Sequence, residues 1–157
     1  MDGKSKKEIM SRKNITLELP FRYINHSDSE KTFANELTPV NSINLSNILS
    51  ENSGCRHVIV YESNDDILAF IILWDHGTHF EVELVEANRA CQTKIKAGAA
   101  LLLLTERLSK KLNYDKIVLY SVQNLIPYYR NHHQYELTDE IIMDPTYGPL
   151  TKMIKNL

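Results

Sequence analysis

Two stretches of the chain carry groups whose types and spacing can do chemistry. In Thr93-Lys-Ile-Lys-Ala-Gly-Ala-Ala100, Lys94 and Lys96 precede a run of small residues, Ala97 to Ala100, and a leucine-rich segment follows. The first N–H groups of a helix lack intrahelical acceptors and sit at the positive end of its dipole, so a helix starting here suits an anion such as a phosphate. Side chains no larger than methyl let that anion approach the backbone. An ordinary loop-to-helix junction packed with small residues explains the same pattern about as well. In the second stretch, His79, Glu81 and Glu83 alternate along one face of an expected strand. An acidic cluster there favours a cationic partner, although a solvated strand face is a common alternative.

Other reactive side chains point to less. His132 and His133 are adjacent, and neighbouring helix positions diverge, with no carboxylate or thiol completing a set, so no metal site is expected. Cys55 and Cys91 are the only cysteines, too few for a disulfide framework. No base is placed beside Cys91 to make it a nucleophile.

The elements that must position these groups follow from periodicity. Ile15 to Leu19 alternates and reads as a first strand, with Phe21 to Ile24 as a continuation beyond Pro20. Ser27 and Glu30 fit a capping box for a helix from Asp28 to Leu37, stopped by Pro39. Ser42 or Asn44 starts a second short helix reaching about Glu51. His57 to Tyr61 and Ile67 to Trp74, joined through Ser63 to Asp66, form a hairpin signal. Phe80 to Val85 adds a third antiparallel strand, with Phe80, Val82 and Leu84 on one face and Glu81, Glu83 and Val85 on the other. Gly98 to Leu112 has leucines at spacings of three and four, the mark of an amphipathic helix. A buried strand, Ile117 to Val122, a short helix, Asn124 to Asn131, and terminal strand segments complete the order. The fold class is α/β, one mixed sheet with helices on its faces.

With 157 residues, 43% hydrophobic and 24% charged, the chain suits one domain with a real core. Residues 1–13 read as a flexible basic arm, and 14–157 as a single domain. A formal net charge of -2 gives no basic field for nucleic acid. No apolar run reaches the length of a membrane span, and no signal peptide is expected. A cytoplasmic location follows as the default.

The order of elements and two residue patterns resemble the GNAT superfamily of acetyl-CoA-dependent N-acetyltransferases. The first pattern is the loop into the long helix, where the family has Arg or Gln, two residues, Gly, one residue, then Gly or Ala. Either Gly98 is the closing position and Thr93 stands for Arg or Gln, the preferred register, or Gly98 is the first Gly and Ile95 takes that place. The second is Asn124-Leu-Ile-Pro-Tyr-Tyr-Arg-Asn-His-His-Gln-Tyr135. Asn124, Pro127, Tyr128, Tyr129 and Tyr135 match, while Gln134 stands where the family has Gly.

The resemblance implies a mostly antiparallel mixed sheet flanked by helices on both faces. It also implies transfer of an acetyl group from acetyl-CoA to a primary amine by direct attack. Thr93, Lys94, Ile95, Lys96, Ala97, Gly98, Ala99 and Ala100 would hold the pyrophosphate. The backbone near Leu84 and Val85, where that strand splays from Ile117–Val122, would hold the pantetheine arm, with Asn124 and Tyr128 as further contacts. Tyr129 would be the acid for the departing thiolate. Glu83, then Glu81 or His79, would be the base, and Glu86 faces either the amine or solvent. The acceptor is a small-molecule or peptide amine; no metal, nucleic acid or membrane partner is implied, and a homodimer is compatible. The alternative is a catalytically degenerate relative that binds the coenzyme as a sensor or interaction module.

Overall fold

The computed structural model describes residues 15–34, 43–91 and 93–157. The expected arm, Pro39 and Ser42 lie outside these residues. The chain builds a seven-stranded sheet in the order β1-β2-β3-β4-β5-β7-β6. Its strands are β1 (Phe21–Tyr23), β2 (Arg56–Ser63), β3 (Asp66–Asp75), β4 (Phe80–Ala87), β5 (Lys116–Val122), β6 (Glu136–Asp144) and β7 (Gly148–Asn156). The helices are α1 (Leu45–Ser50), α2 (Ala97–Lys111) and α3 (Ile126–His133). All strand pairs are antiparallel except β4–β5, which gives the mixed α/β sheet expected.

The β2–β3 hairpin forms through Asn64 and Asp65, with φ of 51° and 67°. Asn and Asp tolerate this left-handed backbone, which matches the twist of the flanking strands. Helix α2 buries Leu101, Leu102, Leu104 and Leu108 against Ile71, Phe80, Val82, Ile117 and Leu119 on one sheet face. Leu45 of α1 and Phe33 join Val58, Val60, Phe70 and Ile72 on the other.

Two expectations near the N-terminus change. Residues 15–19 are not a strand; β1 is the segment after Pro20 alone, and the Pro20 carbonyl accepts from Glu62 N–H at 2.8 Å. The helix expected from Asp28 is a 3-10 turn, His26–Glu30, capped by Asn25 rather than Ser27. It ends because Asp28 is turned inward, where Arg22 donates two hydrogen bonds to it at 2.8 Å and Lys31 lies 3.2 Å away. The second helix starts at Asn44, one of the two starts expected, and the Asn44 side chain accepts from Ser46 N–H.

Strand β4 carries the correction that matters most. Leu73 faces Val82 and Ile72 faces Leu84, so Glu83 has no partner in register. This bulge puts two residues of β4 opposite one of β3 and reverses the alternation beyond it. Leu84 therefore packs with the α1 side and Val85 with the α2 side, the opposite of the simple period-two reading.

Candidate active site

Strands β4 and β5 run parallel for only three rows, Phe80–Ile117, Glu81–Val118 and Val82–Leu119. Both continue, β4 to Ala87 and β5 to Val122, but they no longer pair. Beyond Val82 no row joins β4 to β5, while Leu84, Val85 and Glu86 stay in register with β3. A strand edge left open on one side in this way suits an extended chain that carries amides.

Helix α2 begins beside this gap. Its N-cap, Lys96, makes no side-chain cap, and the first intrahelical bond runs from Ala100 N–H to the Lys96 carbonyl at 3.0 Å. The Ala97, Gly98 and Ala99 N–H groups thus open outward at the positive end of the helix. The loop before it is short-braced, with Ile95 N–H donating to Thr93 Oγ1 at 3.1 Å.

A cleft of about 850 Å³ joins this helix start to α3. Thr93, Ile95, Lys96, Ala97, Gly98 and Ala99 line it from one side, and Tyr128, His132 and His133 from the other. Lys94, Ala100, Leu84, Val85 and Asn124 do not line this cleft. Val85 nevertheless reaches the helix start, since a Cβ built on Gly98 would meet Val85 Cγ2 at 3.9 Å.

Asn88 was not singled out by the sequence, yet it sets the course of the loop. It is buried; its Nδ2 donates to the carbonyls of Thr32 at 3.0 Å and Ile67 at 2.7 Å. Its Oδ1 accepts from Ala34 N–H at 3.1 Å and Ala90 N–H at 3.0 Å. The only sequence signal was an Asn just past a strand end.

Helix α3 starts at Ile126 with Leu125 as its N-cap, after a 3-10 turn over Gln123–Leu125. Asn124 therefore sits inside that turn and does not cap the helix. Tyr129 is 8% exposed and packs against Tyr135 with ring centroids 6.0 Å apart. Burial, with Tyr128 and then Glu86 adding to it, pushes the Tyr129 hydroxyl up to about 12, so it keeps its proton at neutral pH. Tyr128 turns the other way, into the cleft, and its hydroxyl lies 2.9 Å from His133 Nε2. The helix ends on Gln134 in the left-handed region, φ 59°, with Tyr135 N–H bonded to the Tyr129 carbonyl at 3.1 Å. That geometry favours glycine.

The acidic face is partly engaged. Arg56 Nε donates to Glu83 at 2.9 Å and its guanidinium lies over Trp74, 4.5 Å from the ring centre. Glu81 lies 3.1 Å from His76 Nε2, and His79 stacks on His76 at 4.7 Å. Glu86, past the bulge, is the carboxylate whose field reaches Tyr129 and also Tyr147 in the β6–β7 turn. Among the described residues, no group of three His, Cys, Asp or Glu is placed to hold a metal ion. No helix among them is long and apolar enough to cross a membrane.

No family model and no curated protein matches the sequence. Solved structures do match the fold. Ard1 from Thermoplasma volcanium aligns with a TM-score of 0.63 at 13% identity, covering 87% of this chain and 96% of the other. A GNAT family acetyltransferase from Elizabethkingia anophelis, with acetyl-CoA bound, aligns at 0.55 and 15% identity, over 72% and 81%. An aminoglycoside 6'-N-acetyltransferase complexed with coenzyme A aligns at 0.56 and 14% identity, over 72% and 79%. The chain has the fold of the GNAT acetyltransferases.

Proposed function

We propose that the protein is an acetyl-CoA-dependent N-acetyltransferase acting on a primary amine. One observation carries this reading: β4 and β5 part after the Val82–Leu119 row, between the uncapped start of α2 and the tyrosines of α3. The residues fit the cosubstrate. Outward N–H groups at Ala97, Gly98 and Ala99, with Lys96 beside them, suit a pyrophosphate. The β4 backbone at Leu84 and Val85, which β5 does not pair, suits the pantetheine amides, and a donor N–H there can polarise the thioester carbonyl. The solved relatives with acetyl-CoA or coenzyme A bound support the same assignment.

In the reaction, the neutral amine attacks the thioester carbon; a C–N bond forms and the C–S bond breaks. The amine proton passes to a carboxylate on β4. Glu86 is the residue whose charge reaches Tyr129, the acid of the same step, and on that ground it is placed ahead of Glu83 and Glu81. Tyr129, neutral and buried, gives its proton to the departing thiolate. A carboxylate at the acceptor side favours a cationic amine.

The Glu83–Arg56 and Glu81–His76 contacts also favour a second reading, a coenzyme-binding module without turnover. Release of free coenzyme A thiol is the test, measured with polyamines, arylalkylamines, amino acids and peptides. Thiol release that depends on an amine supports the enzyme. Binding of coenzyme A without release with any amine supports the module, and no binding overturns both.

A further inference from the structure

The ends of β4 and β5 that do not pair border both faces of the sheet. On the face away from α2, the apolar layer under α1 contains residues of β2 and β3 and Leu84 of β4, but no described residue of β5, β6 or β7. Glu86 belongs to this face, since it pairs with Phe70, which packs there. Tyr120 stands on the opposite bank. It is the first β5 residue beyond the last shared row, Val82–Leu119. Leu119 packs with the α2 side, so alternation along β5 turns Tyr120 to the same face as Glu86.

An irregularity in the edge strand fixes the direction of the Tyr120 hydroxyl. Four steps along β6, from Leu137 to Ile141, face two along β7, from Met153 to Thr151. Extra residues of this kind re-aim a side chain. Thr138 Oγ1 ties the bulge down, donating to the Lys152 carbonyl at 2.8 Å and accepting from Glu140 N–H at 3.2 Å. Glu140 then lies back across β7. One of its carboxylate oxygens is 3.2 Å from Lys152 Nζ and accepts from the Tyr120 hydroxyl at 3.2 Å. Burial, then Glu140 and lastly Glu81, raise the Tyr120 hydroxyl above its ordinary value, so it keeps the proton it donates. A phenol has one O–H and two lone pairs. The O–H is directed toward β6, which leaves the lone pairs on the β4 side. Toward a ligand in the gap, Tyr120 is therefore a hydrogen-bond acceptor.

We propose that Tyr120 selects a primary amine over a secondary one, a role that rests on the acetyltransferase reading above. A neutral primary amine that attacks the thioester carbon with its lone pair has two N–H groups. One gives its proton to Glu86 on β4, and the other donates to the Tyr120 oxygen on β5. A secondary amine has a single N–H. Once that N–H serves the base, the Tyr120 oxygen meets an alkyl group instead of a donor. A site built to hydrogen-bond a substrate N–H rejects the analogue that lacks it. Glu140 is a positioning residue in this scheme, because it holds the hydroxyl proton away from the amine.

Thiol release by the full chain tests it. The probes are the most active amine among polyamines, arylalkylamines, amino acids and peptides, and its derivative with one methyl on each primary amine nitrogen. Wild type is expected to favour the unmethylated amine by roughly tenfold or more in kcat/KM. Tyr120→Phe, which keeps the ring, is expected to lose roughly tenfold with the primary amine and little with the methylated one, while calorimetric affinity for coenzyme A stays unchanged. Glu140→Leu is expected to lose a few-fold with the primary amine alone and to add nothing to Tyr120→Phe. Equal losses with both amines in Tyr120→Phe, or an unchanged ratio, overturn the selection by Tyr120. Additive losses overturn the positioning by Glu140. A wild type that releases thiol equally with both amines overturns the selection and leaves the acetyltransferase reading standing, whereas one that releases none with any amine removes both.

Discussion

Gly98 and Val85 meet where helix α2 leans on the splayed end of β4, and a methyl group added to Gly98 would stand 3.9 Å from Val85 Cγ2. That is ordinary contact, so the fold itself does not need glycine here. Gly98→Ala is expected to raise stability by about 0.5–1 kcal/mol through helix propensity, measured by urea unfolding. With Gly98 as the closing position of the loop motif, coenzyme A affinity is expected to stay within about threefold. A much larger loss places Gly98 at the first position instead.

Tyr129→Phe removes one hydroxyl and keeps the ring that packs on Tyr135. Turnover is expected to fall by about a hundredfold or more, as for loss of a general acid, while coenzyme A affinity hardly changes. Steady-state kinetics beside calorimetry separates the two. Equal turnover would remove Tyr129 from proton transfer.

Glu86→Gln and Glu83→Gln distinguish the candidate bases. The first is expected to lower turnover by about a hundredfold. The second breaks the Arg56 pair, which is solvent-accessible and worth ~1 kcal/mol or less, and is expected to leave turnover within a few-fold of wild type. The reverse outcome returns the role to Glu83.

Acid stability should depend on Asp28. Burial alone would push its carboxyl up, but Arg22, Asn25 N–H and Lys31 outweigh burial and hold it below the ordinary value of 3.8. A carboxyl lowered in the folded state stabilises the fold above its unfolded pKa, and that contribution disappears as pH falls through the folded value. The melting temperature should therefore drop steeply below about pH 4. Asp28→Asn is expected to cost about 1–3 kcal/mol at neutral pH, since it removes the charged acceptor of two buried hydrogen bonds while Arg22 keeps Glu62, and to flatten the acid limb.

Gln134 holds a left-handed backbone, φ 59°. A non-glycine residue there costs about 1–2 kcal/mol. Gln134→Gly is expected to raise the melting temperature without altering turnover, and an unchanged or lower temperature would contradict the reading of this helix end.

Much of this architecture was legible because the β2–β3 hairpin, β4, α2 and β5 carry regular apolar periods. The loop and the Tyr128-Tyr129 pair were legible as residue patterns. Three features were not, for one physical reason: each depends on a partner distant in sequence. The bulge at Glu83 is defined by the register against Ile72 and Leu73, and it moves Leu84 and Val85 to faces that period two assigns the other way. The helix expected from Asp28 stops because Arg22 draws that carboxylate inward. Asn88 clamps the loop through carbonyls of Thr32 and Ile67, which a sequence cannot display. Among the proposed site residues, the cleft brings Thr93, Ile95, Lys96, Ala97, Gly98, Ala99 and Tyr128 together, while Lys94 and Asn124 stay apart from it.

The three-row seam between β4 and β5 makes the sheet two leaves bound by a short spine. Whatever slides into the open margin acts as a bookmark, stitching the leaves with hydrogen bonds they do not give each other. Filling that margin with coenzyme A is expected to slow amide exchange along β4 and β5 together, beyond the Val82–Leu119 row.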